Sequence, residues 1–314
     1  MIEGTDLRGA GSTRVRRADH TVTVSTGPVH AASTPGDPAV RREAAAVTRD
    51  ETGQDATVRA NRDWWDAEAA DYHREHEAFL GAAGFVWGPE GVREDDVHLL
   101  GPLPSLQAAR VLEIGAGAAM CSRWLRERGV DAVASDLSFG MLAEGRRFDA
   151  ATDVTVPVVQ ADAAVLPFVS EAFDVVFSSY GALPFVADSA AVLREAARVL
   201  RPGGRCVFST THPVRWAFPD SPGRDGLVAG GGGASYFDRR PYVEVDAAGV
   251  PVYAEHHRTV GDRVREITAA GLRLVDLVEP EWPAANTTTW GAWSPLRGRA
   301  IPGTAIYVCV KDAG

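Results

Sequence analysis

From residue 110 onward, short apolar runs alternate with stretches whose apolar positions recur at helical spacing. The runs RVLEI (110–114), DAVAS (131–135), VPVVQ (156–160), FDVVFS (173–178) and RCVFST (205–210) read as buried strands, with helical stretches after the first, second and fourth. Parallel strands need crossover connections, so this order predicts a parallel sheet with helices on both faces. The helix over 188–200 runs into Arg201-Pro202-Gly203-Gly204, a stop-and-turn signal directly before the fifth strand. Further on, a helix over 259–270, capped by Gly271, precedes two more strands, LRLVDLVE (272–279) and TAIYVCV (304–310).

Elsewhere the pattern changes. Residues 60–80 form an amphipathic helical stretch and 90–100 a second short one, so 58–105 is expected to supply covering helices at the start of a single domain over 58–314. Residues 1–57 are rich in Ala, Thr, Gly, Pro and Arg with little apolar periodicity, the composition of a disordered tail. Between 211 and 256 the alternation breaks: four glycines (230–233) precede an extended pair folded around Asp246 to Gly249. Because this insertion leaves the C-terminal end of a strand, it is expected to act as a lid over a substrate.

Composition narrows the function. The 314 residues, 45% of them hydrophobic, suffice for one sizeable core. A net charge of −10 argues against a nucleic-acid surface, which needs clustered cations to release counterions. No apolar run is long enough to span a membrane and no apolar leader follows the N-terminus, so a cytoplasmic protein is expected. Cys121, Cys206 and Cys309 lie far apart without a C-x-x-C pair, which indicates neither a disulfide framework nor a structural zinc site, and Cys206 and Cys309, in apolar strand-like runs, read as core residues. The single lysine, Lys311, stands near the chain end, a poor place for Schiff-base chemistry.

The densest chemical signal is VLEIGAGAAM (111–120), a buried strand ending at Glu113 and a glycine turn, Gly115-Ala116-Gly117, that opens a helix. Glycine there permits a tight turn and close approach of backbone to a ligand. Asp136, 21 residues beyond Gly115, ends the second strand, where a carboxylate can accept both hydroxyls of a ribose. Asp162 follows the third strand, where it and the Ala163 amide can pair with an adenine edge. Acidic groups at three successive strand ends suit a ligand with a ribose, a purine and a positive charge.

These blocks, together with DLSFGML (136–142), QADAAVLPF (160–168), FDVVFSSYGALPFV (173–186) and REAARVLRPGGRCVFS (194–209), resemble the class I S-adenosylmethionine-dependent methyltransferases, in particular the ubiquinone/menaquinone-type and small-molecule branch. The resemblance covers about 110–210. It implies a Rossmann-like, doubly wound α/β fold with a seven-stranded, mostly parallel sheet whose last strand is antiparallel, with N-terminal covering helices and a lid insertion. It implies S-adenosyl-L-methionine as cofactor: Glu113, Gly115, Ala116 and Gly117 at the methionine portion, Asp136 at the ribose, Leu137 and Met141 on the adenine faces, Asp162 and Ala163 at its edge, Ser179 and Tyr180 beside the sulfonium, and Tyr72 from the covering helix. Ala119 departs from the family's third glycine. Met120 departs further from the G-x-G-x-x-G of a nicotinamide-dependent oxidoreductase, the main alternative reading; a non-catalytic cofactor-binding protein is a second.

For a small-molecule methyl acceptor that must lose a proton, histidine is the natural base. His212, just beyond the fifth strand, is the first candidate, with His256 and His257 at the end of the insertion next and His73 and His76 behind them. Trp216, Phe218, Tyr236, Phe237, Trp290 and Trp293 are candidates for an acceptor pocket, and Arg215, Arg239 and Arg240 for an acidic substrate group.

Overall fold

The computed structural model describes residues 13–17, 20–24 and 43–313. Two antiparallel strands, β1 (Thr13–Arg17) and β2 (His20–Val24), come first. They are followed by β3 (Ala46–Thr48), the long helix α1 (Gln54–Leu80) and two short helices, α2 (Glu94–Val97) and α3 (Leu103–Gln107). The alternating region then runs β4 (Arg110–Ile114), α4 (Met120–Glu127), β5 (Asp131–Asp136), α5 (Phe139–Thr152), β6 (Val158–Gln160), β7 (Phe173–Ser178), α6 (Ser189–Val199) and β8 (Leu200–Thr211). After it stand the hairpin β9 (Tyr242–Val245) and β10 (Pro251–Glu255), then α7 (Val260–Ala269), β11 (Leu272–Val278), α8 (Pro295–Gly298) and β12 (Thr304–Lys311).

Seven strands form the main sheet in the order β11-β12-β8-β7-β4-β5-β6. Only β12 runs antiparallel to its neighbours, as the expected fold requires. Both faces are covered, so adjacent residues of a strand bury in opposite cores: Leu112 and Phe208 join Leu193 and Tyr307 on one side, while Val111 and Val207 join Trp87 and Leu125 on the other. The chain winds outward from β4 through β6 and then returns to β7 on the other side of β4. That reversal opens a crevice beyond the carboxyl ends of the central strands.

The expected helix over 259–270 appears as α7, started by a reciprocal capping box between Thr259 and Asp262 and followed by Gly271 at φ 76°. Other elements differ from the pattern for identifiable reasons. β8 begins at Leu200, because the Arg201–Gly204 segment is absorbed as an irregularity in its pairing with β7. The helix expected over 90–100 shrinks to α2: Glu94 accepts from Leu99 N and Leu100 N, turning the chain through His98 at φ 48°.

The tail expected over 1–57 is corrected at its end; the other residues of that stretch, apart from the β1–β2 pair, lie outside the described residues. β3 adds to β9, giving a second sheet of order β10-β9-β3, and α1 starts at Gln54. These residues are fixed by remote partners that local periodicity does not carry. Gln54 Oε1 accepts from Ala187 N and Asp188 N, Thr57 is buried against His256, and Asn61 bonds both backbone groups of Ala254. N-terminal helix and insertion therefore make one continuous cover. No described helix is long and apolar enough to cross a membrane.

Arg123 ties this frame together. Fully buried on α4, it donates to Ala82 O, Ala118 O and Gly145 O and pairs with Asp149 at 2.7 Å. Arg123→Ala strands a nearly buried carboxylate and three carbonyls, and is expected to cost about 3–5 kcal/mol in chemical denaturation; a loss below about 1 kcal/mol would show that this hub is dispensable.

Candidate functional site

Beyond the ends of β4, β5, β6 and β7 lies a cavity of about 500 Å³. Its floor is backbone. Gly115 sits at φ 66°, and a Cβ there would stand 2.4 Å from Ala182 N; a Cβ on Gly181 would stand 2.2 Å from Gly115 O. The loops after β4 and β7 thus touch main chain to main chain, which only glycine allows. Ala119, where the family pattern has glycine, holds the left-handed conformation at φ 57° as the residue before α4.

The three strand-end carboxylates face this space. Asp136 is held between two loops, accepting from Gly117 N at 2.7 Å and Ser138 N at 2.8 Å, and burial raises its pKa. Glu113 accepts from Ser122 N (2.9 Å) and Ser122 Oγ (2.6 Å); burial nonetheless pushes its carboxyl up to about 7. Asp162 accepts from Ala164 N at 2.9 Å. Each carboxylate retains lone pairs for a ligand.

All the residues expected at the cofactor line this one cavity: Tyr72, Glu113, Gly115, Ala116, Gly117, Asp136, Leu137, Met141, Asp162, Ala163, Ser179 and Tyr180. Tyr180 adopts φ 57°, an unusual conformation for a bulky residue, and its hydroxyl accepts from Thr211 Oγ1 at 3.2 Å. Beyond Tyr72, His73 and His76, other contributions from α1 escaped the sequence reading. Asp66 accepts from Ser138 Oγ (2.6 Å) and Gly140 N (2.8 Å), fastening the cover to the start of α5, and Gln54 reaches Asp162 at 3.4 Å.

The expected bases are corrected: His212, His256 and His257 do not line the cavity. His212 is buried with both ring nitrogens engaged, Nδ1 accepting from Val214 N (3.1 Å) to cap the turn it begins and Nε2 lying 2.8 Å from Glu279. His256 Nε2 pairs with Thr57 at 3.0 Å, and His257 Nε2 donates to Tyr236 O at 2.7 Å with its ring stacked on Trp216. These two border a separate void of about 10 Å³. Of the secondary candidates His73 lines the main cavity, held neutral by burial with its pKa down to about 4, whereas His76 turns back to Tyr72 O.

Aromatic expectations divide similarly. Trp290 and Trp293 line the cavity, whereas Trp216, Phe218, Tyr236 and Phe237 lie outside it; Trp64, Trp65, Phe185 and Tyr253 line it instead. Arg215 is inside, bound to Glu255 and Asp220, but Arg239 and Arg240 are spent at the surface on Asp262 and Asp238. Alternation along β10 was the available signal for Tyr253 and Glu255: with Val252 and Ala254 buried, these two share the opposite face. Among the described residues no cluster of His, Cys, Asp and Glu is placed to hold a metal ion.

Comparison with known proteins agrees with this geometry. A family model described as "Methyltransferase domain" matches residues 112–208. A demethylmenaquinone methyltransferase of Mycobacterium sp. (strain KMS) is 47% identical over 112 residues, covering 35% of this chain and 45% of that protein. Another from Mycolicibacterium vanbaalenii is 49% identical over 104 residues, covering 32% and 42%. The match therefore spans less than half the length of these curated relatives. Among solved structures, the CcbJ methyltransferase from Streptomyces caelestis is similar with a TM-score of 0.52 at 18% identity, covering 79% of this chain and 98% of that one. An S-adenosylmethionine-dependent methyltransferase from Clostridium acetobutylicum has a TM-score of 0.50 at 13% identity, covering 78% and 99%. At such identities the structures speak to the fold alone. Residues 112–208 thus match a methyltransferase domain, set in a doubly wound sheet of the fold seen in these solved structures.

Two outcomes follow from the crevice. Gly181→Ala forces a Cβ into the Gly115 carbonyl, and calorimetric affinity for S-adenosylhomocysteine is expected to fall more than tenfold, overpacking of this kind costing roughly 1–3 kcal/mol; unchanged affinity would mean the loops separate freely. Because Glu113 gains a proton just below neutrality, affinity for a ligand that carries its ammonium there is expected to weaken as pH falls from about 7, by up to about tenfold per pH unit. Glu113→Gln should flatten that profile, and a flat profile in the unsubstituted protein would remove Glu113 from the ligand's contacts.

Proposed function

We propose that this chain transfers the methyl group of S-adenosylmethionine to a small-molecule acceptor held under the cover formed by α1 and the insertion. One observation carries the reading: the glycine turn and the carboxylates of Glu113, Asp136 and Asp162, contributed by three separate strand ends, meet in a single cavity. The residues fit the cofactor. Bare backbone at Gly115 and Gly117 admits the methionine portion closely, and Asp136, already oriented by two amides, keeps acceptor capacity for a ribose diol. Leu137 and Met141 supply apolar surfaces for the adenine, Asp162 and the Ala163 amide its edge, and Ser179, Tyr180 and Tyr72 the surroundings of the sulfonium.

When bound, S-adenosylmethionine supplies an electrophilic methyl group on a positively charged sulfur. The protein's part is mainly to hold the acceptor in line with it, and orientation of this kind is worth roughly 7–11 kcal/mol. Asp66 and Asn61 serve that end by pinning α1 across the opening, which also excludes water. A base contributes about 10²- to 10⁴-fold more where the acceptor must lose a proton. With the three histidines outside the cavity, this reading assigns that role to Glu255, the less exposed of the two lid-side carboxylates.

A small molecule suits a walled cavity in an acidic chain better than nucleic acid does, and this reading is that of a cytoplasmic enzyme. Met120 disfavours a nicotinamide enzyme, since it opens α4 where a dinucleotide turn needs glycine or alanine.

Calorimetric titration of the full chain is expected to show saturable binding of S-adenosylhomocysteine. Asp136→Ala should weaken it about tenfold or more, hydrogen bonds to a charged group being worth roughly 1.5–3 kcal/mol. Binding of NADH with none of S-adenosylhomocysteine would overturn the proposal.

A further inference from the structure

The lid side of the cavity has its own chemistry, separate from the strand-end carboxylates. Three charged side chains line it: Arg215, Asp220 and Glu255. Arg215 lies between the two carboxylates, Nη2 donating to Asp220 at 2.8 Å and Nη1 to Glu255 at 3.1 Å, with its guanidinium carbon 5.2 Å from the Trp216 ring centroid. Its side chain is only 16% exposed, so its fork is both engaged and shielded. No other arginine or lysine lines the cavity among the described residues, and His73 is held neutral. An anionic acceptor would find no free cation, and would have to displace a buried ion pair to obtain one.

Glu255 is in the opposite position. Its Oε1 accepts from the Tyr253 hydroxyl at 2.7 Å and its Oε2 from Arg215, which fixes the carboxylate while leaving about two of its roughly four lone-pair sites open. Aromatic rings make the neighbouring wall. Trp64 and Trp65 meet edge to face at 4.6 Å, Trp65 and Tyr72 at 5.5 Å, and Trp290 closes the group 6.4 Å from Tyr72. Ring faces bind flat apolar bodies and attract cations. Asp220 is balanced further by the buried Arg297 at 3.6 Å, so it is the open lone pairs of Glu255, the spent guanidinium of Arg215 and the ring faces that favour a cation.

We infer that the acceptor is an alkylamine that carries a planar aromatic ring, its ring against Trp64, Trp65, Tyr72 and Trp290 and its ammonium against Glu255, the nitrogen being able to take a methyl group only after Glu255 has accepted its proton. This rests on the methyl-transfer reading for the identity of the neighbouring ligand. The selectivity is a property of the lid and not of the strand-end motifs: Glu255 closes the hairpin that α1 covers, and Asp220 lies in the segment after β8.

The test uses the full chain saturated with S-adenosylhomocysteine, itself verified by titration, and three indoles of matched size as probes: tryptamine, the neutral indole-3-ethanol and indole-3-acetate. Tryptamine is expected to bind at least about tenfold more tightly than indole-3-acetate, with the alcohol between them, tenfold being a modest 1.4 kcal/mol for a shielded cation site. Glu255→Gln with Asp220→Asn should reduce that preference to less than about threefold while S-adenosylhomocysteine affinity, the check on folding, stays unchanged. If the double variant loses that affinity, Glu255→Gln alone is read the same way. Equal or tighter binding of the acetate, a preference that survives the substitutions, or no tryptamine binding to protein that holds S-adenosylhomocysteine would each overturn the inference. Failure to bind S-adenosylhomocysteine at all would instead defeat the methyl-transfer reading.

Discussion

Backbone contact between the loops after β4 and β7 is the constraint on which the rest of the structure depends. Gly115 and Gly181 bring the two main chains closer than any side chain permits. This contact fixes the floor of the crevice at the sheet's point of reversal, where the ends of the two central strands diverge. Asp136 extends the same arrangement sideways, bridging the Gly117 amide after β4 and the Ser138 amide at the start of α5. Bare backbone and one carboxylate thus define a slot before any ligand enters it, so little order is left to be imposed by binding.

Over this rigid floor the chain builds its cover from remote pieces. α1 crosses the mouth and is fastened at Asp66 to α5, at Asn61 to β10 and at Gln54 to the loop before α6. The insertion after β8 completes the cover, with β3 joining its edge. The charged and aromatic groups that would meet an acceptor belong to this cover, whereas those that would hold the cofactor, Tyr72 apart, belong to the sheet's strand ends and the loops and helices that follow them. Family likeness is concentrated in residues 112–208 and stops short of the cover.

Much of the sheet, and of the set of residues that line its crevice, was legible in the sequence, because their signals are local. A buried strand followed by glycine, or by an acid at its end, implies a position at the crevice whatever the rest of the chain does, and each such residue lines it. The histidines were not legible. His212 was placed correctly after β8, but its direction is set by the turn it caps and by Glu279, 67 residues away. His256 and His257 drew attention by residue type, while the alternation that favoured Tyr253 and Glu255 passed unread. The early start of α1 was hidden for a related reason: Gln54 and Thr57 gain their order from partners 133 and 199 residues distant, and their own neighbourhood shows no apolar period.

The most direct test is a crystal structure of the full chain with S-adenosylhomocysteine. The ribose hydroxyls should lie on Asp136, the adenine between Leu137 and Met141, and the amino-acid end along Gly115 to Gly117, with the sulfur facing Tyr180 and the lid. A ligand seated elsewhere, or Glu113, Asp136 and Asp162 diverging with the β4 and β7 loops apart, would contradict the claim that these strand ends form one nucleoside site.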